Sequence, residues 1–150
     1  MATVTLGVIG SDVHVVGITI LERALEEAGF TVYNLGVQTT HEEFVEAARE
    51  HDADAVLVSS LYGHAERDCE GFHDALAAAG LDPVTYVGGN LAVGQQEFDA
   101  IRRQFREFGF DRVFDSETDP MEVADALRSD LERRVQVAGS TAEFAAAEAD

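Results

Sequence analysis

The sequence predicts an α/β fold: a doubly wound, flavodoxin-like (Rossmann-like) parallel sheet of five strands, with helices on both faces. Short apolar runs rich in β-branched residues alternate with stretches whose apolar residues recur at helical spacing, which is the pattern of βα units. The run at 53–59 is apolar almost throughout, as expected of a parallel strand that is buried on both faces. A chain of 150 residues has the usual size of one such domain.

The first strand is predicted at residues 3–9, where apolar and β-branched residues cluster before a break at Gly10. After Gly17, apolar residues at helical spacing predict a helix that stops at Gly29. Residues 31–35 are predicted to form a second strand. The inward face of the first helix, between Gly17 and Gly29, comprises Leu21, Ala24, Leu25 and Ala28.

The second helix is predicted from a capping box, because Thr40 is followed three residues later by Glu43. The third strand, 53–59, comes next, and a third helix runs from there to Gly80. The inward-facing residues of these two helices are Phe44, Ala47, Ala48, Phe72, Ala75, Leu76 and Ala79.

The fourth strand, 83–87, runs into a Gly-Gly-Asn sequence, and the helix after it stops at Gly109. Residues 112–114 are predicted to form a short fifth strand. Asp119 as N-cap and Pro120 at the first helical position begin the last helix. The apolar faces of these two helices comprise Phe98, Ile101, Phe105, Phe108, Val123, Leu127 and Leu131.

The C-terminal end differs in composition from the rest of the chain. From about Val137 onward it is mainly Ala, Glu and Ser, with few residues that a core could bury. We therefore expect residues 1–137 to form the folded domain and residues 138–150 to be an acidic, disordered tail.

The net charge of -19 is the strongest signal in the composition, and all 10 basic residues are arginines. We do not expect such a chain to bind nucleic acid, because phosphate contacts need a basic surface. Strong acidity combined with a normal proportion of core residues indicates a protein adapted to high salt, where counterions screen the self-repulsion. The alternative is an ordinary acidic cytoplasmic protein, which the absence of lysine disfavours.

The location that the sequence predicts is the cytoplasm. No apolar run approaches the roughly 20 residues of a membrane span, so we expect no membrane association. The N-terminal residues pass directly into the first strand without a basic leader. The single cysteine, Cys69, has no partner within the chain for a disulfide, which fits a reducing compartment.

Asp12 and His14 lie between the first strand and the first helix, at the carboxyl end of that strand. A lone histidine on such a loop is usually only solvated or capping. A carboxylate two residues away can hold one imidazole nitrogen and improve the other as a metal ligand. The pair is not a zinc site, because no set of three or four His or Cys ligands lies nearby, and His64, Cys69 and His73 follow one presumed helix and its loop. One nitrogen ligand suggests a metal that is otherwise held by a macrocycle.

Two later pieces lie at the ends of the third and fourth strands. Ser59 precedes Leu61, and Gly88 precedes Gly89. Taken singly, a serine at a strand end often bonds its own backbone, and two glycines often mark a turn. All of these pieces nevertheless lie at carboxyl ends of strands, where doubly wound sheets bind ligands.

Together, Asp12-x-His14-x-x-Gly17, Ser59-x-Leu61 and Gly88-Gly89 resemble the cobalamin-binding signature of the base-off, His-on family, and their separations in sequence agree with it. The resemblance implies that His14 is the lower cobalt ligand and that Asp12 orients it. It also implies that Ser59 bonds the displaced benzimidazole, that Leu61 packs beside it or the corrin, and that the glycines give room to the nucleotide tail. The full set of cofactor-binding residues that it implies is Ser11, Asp12, Val13, His14, Val15, Gly17, Ser59, Leu61, Tyr62, Gly63, Gly88, Gly89 and Asn90.

A closer resemblance, over roughly residues 4–131, is to the family of small subunits of methylaspartate (glutamate) mutase. The similar pieces are 28–30, 34–37, 59–63, 68–71 and 86–94, and a departure is His64-Ala65, where a Gln-Gly-like pair is expected. The resemblance implies a radical isomerase that uses adenosylcobalamin to interconvert L-glutamate and (2S,3S)-3-methylaspartate. It also implies a separate large (E, epsilon) subunit that binds the substrate, in a heterotetramer of two small and two large subunits.

Two other classes of protein compete with this interpretation. A non-catalytic corrinoid carrier or cobalamin sensor would use the same His14 site, so the motif does not exclude it. A flavodoxin or a receiver domain would need a phosphate-binding loop after the first strand or a phosphorylatable Asp after the third. Here the first loop carries an acid and a histidine, and the third strand ends in Ser59.

Overall fold

The structure, a computed structural model, describes residues 2–9, 16–61, 65–90, 95–115 and 118–149. Helices and strands alternate along the described chain, except that two helices follow one another between the third and fourth strands. The strands are β1 (Thr3–Val8), β2 (Thr31–Asn34), β3 (Ala55–Leu61), β4 (Val84–Asn90) and β5 (Arg112–Val113). The helices are α1 (Val16–Glu27), α2 (His41–Glu50), α3 (Ala65–Cys69), α4 (Phe72–Ala78), α5 (Gln95–Phe108) and α6 (Pro120–Ala149).

The five strands form one parallel sheet in the order β2-β1-β3-β4-β5. This order confirms the predicted flavodoxin-like fold. From β1 the chain moves first to β2 on one side and then returns to β3 on the other. The strand order therefore reverses between β1 and β3, and the carboxyl ends of these two strands flank the switch point.

The apolar core lies in two layers, one on each face of the sheet. On one face, Phe44 of α2, Phe72 of α4 and Phe105 of α5 pack on the sheet. On the other face, Leu25 of α1 and Leu127 of α6 do so. The side chains of all five are fully buried. Helices thus cover both faces, as the apolar run of the third strand predicts.

Local patterns predicted the helix boundaries well. The Thr40 side chain accepts a hydrogen bond from the backbone N of Glu43 at 3.1 Å, and the Glu43 carboxylate accepts one from the backbone N of Thr40 at 3.1 Å, so the capping box is confirmed. Asp119 Oδ1 accepts a bond of 2.9 Å from the backbone N of Met121, and α6 begins at Pro120, as predicted.

The structure corrects the helix predicted before Gly80. Two helices, α3 and α4, replace it, and Gly71 separates them with a left-handed φ of 79°. Phe72 and Leu76 are buried as predicted, whereas Ala75 is only half-buried. The apolar spacing is the same with or without the interruption, which is why the sequence pattern did not reveal it.

The third and fourth strands also differ from their predicted bounds. β3 begins two residues later than expected and continues through Leu61, while β4 continues through Gly88 and Gly89 to Asn90. The two strands extend each other, because Ser60 pairs with Gly89 and Leu61 with Asn90. Each of these two strands therefore ends where the other ends. The position of such an end depends on the neighbouring strand, so the sequence of one strand alone does not predict it.

The last helix extends beyond the predicted domain boundary. α6 runs from Pro120 to Ala149 and so includes most of the segment 138–150. The disorder of that segment stays a prediction. Within the described residues, none of the helices combines the length and apolarity that crossing a membrane would require.

Candidate functional site at the switch point

Val8, Ser59 and Gly88 lie side by side at the carboxyl end of the sheet. Ser59 is the Cα partner of Val8 on β1 and of Gly88 on β4. This row therefore spans the switch point, the position at which doubly wound sheets bind ligands. Residues from two separate predicted pieces, 59–61 and 88–89, are thus brought into direct register.

The row faces the layer formed by α1 and α6. Leu57 and Tyr86, two residues before Ser59 and Gly88, pack with these helices, as does Val8 itself. Alternate residues of a strand share one face of the sheet, so Ser59 and Gly88 face the same side. A ligand that entered between the sheet and α1 or α6 would pass over this row.

The hydroxyl of Ser59 is available to a ligand. Ser59 is half-buried, and within the described residues its Oγ takes part in no hydrogen bond. The alternative in which the hydroxyl bonds its own backbone therefore does not apply to this arrangement. A half-buried hydroxyl without a protein partner can donate to, or accept from, a polar atom of a bound group.

Gly88 and Gly89 have different reasons to be glycine. A Cβ on Gly89 would lie 2.3 Å from the Ser60 carbonyl oxygen, and its φ is +115°, so the fold itself requires glycine there. A Cβ on Gly88 would meet Phe114 at 3.5 Å, which is an ordinary contact. The described protein atoms therefore leave room for a side chain at Gly88, and the bare backbone beside Ser59 fits a group that passes close over the sheet.

Other predicted site residues lie partly or wholly outside the described residues. Gly17 belongs to the first turn of α1, which begins at Val16. Leu61 and Asn90 are the last residues of β3 and β4, and nothing further is described of their side chains. The predicted residues that lie outside the described ranges are Ser11, Asp12, Val13, His14, Val15, Tyr62 and Gly63.

Two buried polar atoms near the carboxyl end of β3 were not singled out from the sequence. Ser60 Oγ and Asp68 Oδ2 are buried without a hydrogen-bond partner. Asp68 lies on α3, which contacts β3, and His41 Nε2 donates a hydrogen bond to its backbone carbonyl. Buried polar atoms are normally paired, so these two are exceptions within the described structure. Ser60 alternates with Ser59 along the strand and therefore faces the layer formed by α2, α4 and α5. The sequence feature that could have pointed to Ser60 is that it is a second polar residue, directly after Ser59, at the end of an apolar strand.

Cys69 and His73 have structural roles. Burial, with a smaller effect from the Asp68 charge, raises the pKa of the Cys69 thiol to about 12, so it stays protonated at neutral pH. His73 Nε2 lies 2.9 Å from Thr85 Oγ1, and burial lowers its pKa. Within the described ranges, no group of three His, Cys, Asp or Glu side chains could hold a metal ion. His64 lies outside those ranges.

Comparison with known proteins identifies the family. The profile of the B12 binding domain matches residues 2–125. The glutamate mutase sigma subunit 1 of Haloarcula marismortui is 69% identical over 130 residues, which are 87% of this chain and 86% of that protein. This chain belongs to the glutamate mutase sigma-subunit family. The member from Halobacterium salinarum is 62% identical over 130 residues, covering 87% of each chain.

Other comparisons agree with the composition and the fold. The Haloarcula relative supports the halophilic interpretation of the acidic composition. A crystal structure of a cobalamin-binding protein from Desulfitobacterium hafniense superimposes with a TM-score of 0.69 over 85% of this chain and 58% of that one, at 23% identity. At that identity the likeness concerns the fold alone. Membership of a sigma-subunit family implies that the chain works with a partner subunit.

Proposed function

We propose that this chain is the cobalamin-binding small subunit of a glutamate mutase, which interconverts L-glutamate and (2S,3S)-3-methylaspartate. The cofactor is adenosylcobalamin, and the partner is a large (E, epsilon) subunit in a heterotetramer of two small and two large subunits. The observation that carries the proposal is membership of the sigma-subunit family over 87% of the chain. The open row at the switch point supports it.

In this proposal His14 would coordinate the cobalt, and Asp12 would fix the imidazole tautomer. The hydroxyl of Ser59 bonds the displaced benzimidazole, and Gly88 lets the nucleotide tail pass between the sheet and the α1/α6 layer. When bound, adenosylcobalamin supplies a cleavable Co–C bond from which radical chemistry starts. The remaining proposed contacts are Ser11, Val13, Val15, Gly17, Leu61, Tyr62, Gly63, Gly89 and Asn90.

The large subunit binds the substrate in this proposal. Glutamate carries two carboxylates, which proteins commonly hold with bidentate arginines. The row of Val8, Ser59 and Gly88 carries no charged side chain that could pair with the two carboxylates of the substrate. The small subunit therefore supplies the cofactor, and turnover requires both subunits.

Reconstitution tests the proposal. The chain, adenosylcobalamin and a haloarchaeal glutamate mutase large subunit are mixed in buffer of fixed KCl concentration and assayed for methylaspartate. We expect turnover only from the complete mixture. We expect His14→Ala to abolish most of it and to leave the cofactor spectrum benzimidazole-ligated, while Asp12→Asn weakens binding by roughly 10- to 100-fold.

Two results would contradict this proposal. Tight cobalamin binding without turnover, for several large subunits, would indicate a carrier or sensor. Unchanged binding, spectrum and turnover in His14→Ala would show that cobalt is held by another group.

Gly88→Ala separates the cofactor role of this glycine from a role in folding. We expect its free energy of unfolding to stay within about 1 kcal/mol of the parent, because the added methyl makes only an ordinary contact with Phe114. The same methyl would obstruct the nucleotide tail, so the Kd for cobalamin should rise at least about tenfold. Spectrophotometric titration measures the Kd, and thermal unfolding measures stability.

The control for this variant is Gly80→Ala, after α4, at the opposite end of the sheet. It should leave the Kd for cobalamin unchanged. An equal Kd in Gly88→Ala and the parent would mean that the tail does not cross Gly88.

A further inference from the structure

A groove of about 880 Å³ runs along the outer side of β5, between α5 and α6. It lies at the free edge of the sheet, away from β1 and the switch point. We call it the arginine groove. Its lining consists of Asp82, Val84, Arg102, Arg106, Asp111, Arg112, Val113, Phe114, Asp130, Arg133 and Arg134.

The groove concentrates positive charge on a strongly negative chain. Five of the 10 basic residues of the chain line it, against three aspartates, although the chain as a whole has a net charge of -19. The local surplus is therefore two positive charges. A concave surface with a surplus of one sign attracts ions of the other sign, so this groove is a place where an anion can approach the protein.

The aspartate at the floor of the groove is already neutralised. Asp130 accepts bonds from Arg112 Nε at 2.7 Å and from Arg112 Nη2 at 3.0 Å, and Arg133 Nη2 lies 3.4 Å from it. A second aspartate, Asp111, accepts a hydrogen bond of 2.9 Å from the backbone N of Thr85. These two carboxylates therefore oppose an incoming anion less than free ones would.

Donors remain free on both walls. The guanidinium of Arg106 on α5 has no ion pair or hydrogen bond within the described residues, although the backbone carbonyl of Arg106 accepts a bond from the backbone N of Gly109. Arg102, four residues earlier on the same helix face, lies 3.3 Å from Asp99, has its guanidinium 5.9 Å from the centroid of the Phe98 ring, and is 50% exposed. On the α6 wall, Arg133 is 66% exposed and makes one contact of 3.4 Å with Asp130. Arg134 donates a hydrogen bond to the backbone carbonyl of Asp82 and lies 3.6 Å from the Asp82 carboxylate, which is itself 96% exposed. Each guanidinium carries five N–H donors, so most of these donors are uncommitted.

We propose that the arginine groove binds a small organic or inorganic anion with at least two carboxylate or phosphate groups. Guanidinium groups match the oxygen geometry of both. One anionic group contacts Arg102 and Arg106 on α5, and another contacts Arg133 and Arg134 on α6. The anion thereby bridges the two helices across β5, and its volume requirement agrees with that of small-ligand sites. This inference is independent of the cofactor site.

Pyrophosphate and citrate are suitable probes, since one carries phosphate groups and the other carboxylates. The full chain is titrated with each at millimolar concentration, with KCl adjusted to hold the ionic strength constant. We expect saturable binding by calorimetry, and a rise in Tm of roughly 5–10 °C when the anion exceeds its Kd about a hundredfold. The tighter of the two probes identifies the anionic group that the groove prefers.

A matched pair of double variants decides the site. R102Q/R106Q removes the α5 wall of the groove. R49Q/R103Q removes the same charge, one arginine from the last turn of α2 and one from α5, outside the groove. We expect the Kd for the anion to rise at least about tenfold in R102Q/R106Q. In R49Q/R103Q it should stay unchanged.

Three results would overturn the proposal. The first is an increase in Tm that never saturates, as general exclusion of such anions from protein surfaces would give. The second is equal loss or equal retention of binding in the two double variants. The third is a response to chloride of the same size at the same ionic strength.

Discussion

A Gly89→Ala variant is expected to lose about 3 kcal/mol or more of its free energy of unfolding. Gly89 has a φ of +115°, which side chains rarely adopt, and the added Cβ would lie 2.3 Å from the Ser60 carbonyl oxygen. That oxygen belongs to the backbone of the adjacent strand, so the clash cannot be relieved by a rotamer change. The ends of β3 and β4 must separate, and Ser59 must move with them. Urea unfolding at fixed KCl concentration measures the loss.

Gly80→Ala is the control for this prediction. Gly80 also has a positive φ, of +75°, but a Cβ there would meet no atom within 4 Å. It should therefore lose only about 1 kcal/mol, the cost of the backbone conformation without a clash. Equal losses in the two variants would show that the approach of Gly89 to Ser60 contributes nothing beyond its φ.

Much of the fold was predictable because local chemistry determines it. The capping box of Thr40 and Glu43, the N-cap at Asp119 and the glycines after the helices are each decided within a few residues. The apolar run of the third strand predicted a sheet with helices on both faces. The ends of β3 and β4 were not predictable in this way, because Leu61 and Asn90 stay in strand conformation by pairing with each other.

The candidate site was predictable only in part. The sequence placed Ser59 and Gly88 at strand ends, and the parallel order brings them into register. It did not distinguish Gly88 from Gly89, because the difference depends on the backbone of Ser60 in another strand. The geometry of Asp12 and His14 stays a prediction. The arginine groove was missed, since its residues lie on α5, β5 and α6 and only the tertiary structure assembles them.

An Asp130→Ala variant is expected to lose about 3 kcal/mol of its free energy of unfolding. Asp130 on α6 is 14% exposed and accepts hydrogen bonds from Arg112 on β5 and from the hydroxyl of Tyr86 on β4. Its removal leaves the buried phenol hydroxyl and a cation without their partner. Water screens part of the ionic contribution, because Arg112 is 40% exposed, so the lower end of the range for buried pairs applies.

The loss should depend on pH in a defined direction. Hydrogen bonding from Arg112 holds the pKa of Asp130 below its ordinary value of 3.8. A carboxylate with a lowered pKa in the folded state stabilises that state above its ordinary pKa, and this stabilisation disappears as the pH falls through the folded-state pKa. The difference between the parent and Asp130→Ala should therefore be constant near neutral pH and shrink below about pH 4. Urea unfolding at several pH values measures it.

Asp82→Ala is the matched control, because Asp82 also pairs with an arginine but is 96% exposed. We expect it to change stability by less than about 0.5 kcal/mol at any pH between 4 and 7, as surface pairs do. If Asp130→Ala behaved in the same way, the network would not hold α6 to the sheet. The packing of α6 beside Tyr86 would then depend on its apolar contacts, among them those of Val123, Ala124 and Leu127, and the α1/α6 side of the switch point would be held by burial rather than by the ion pair.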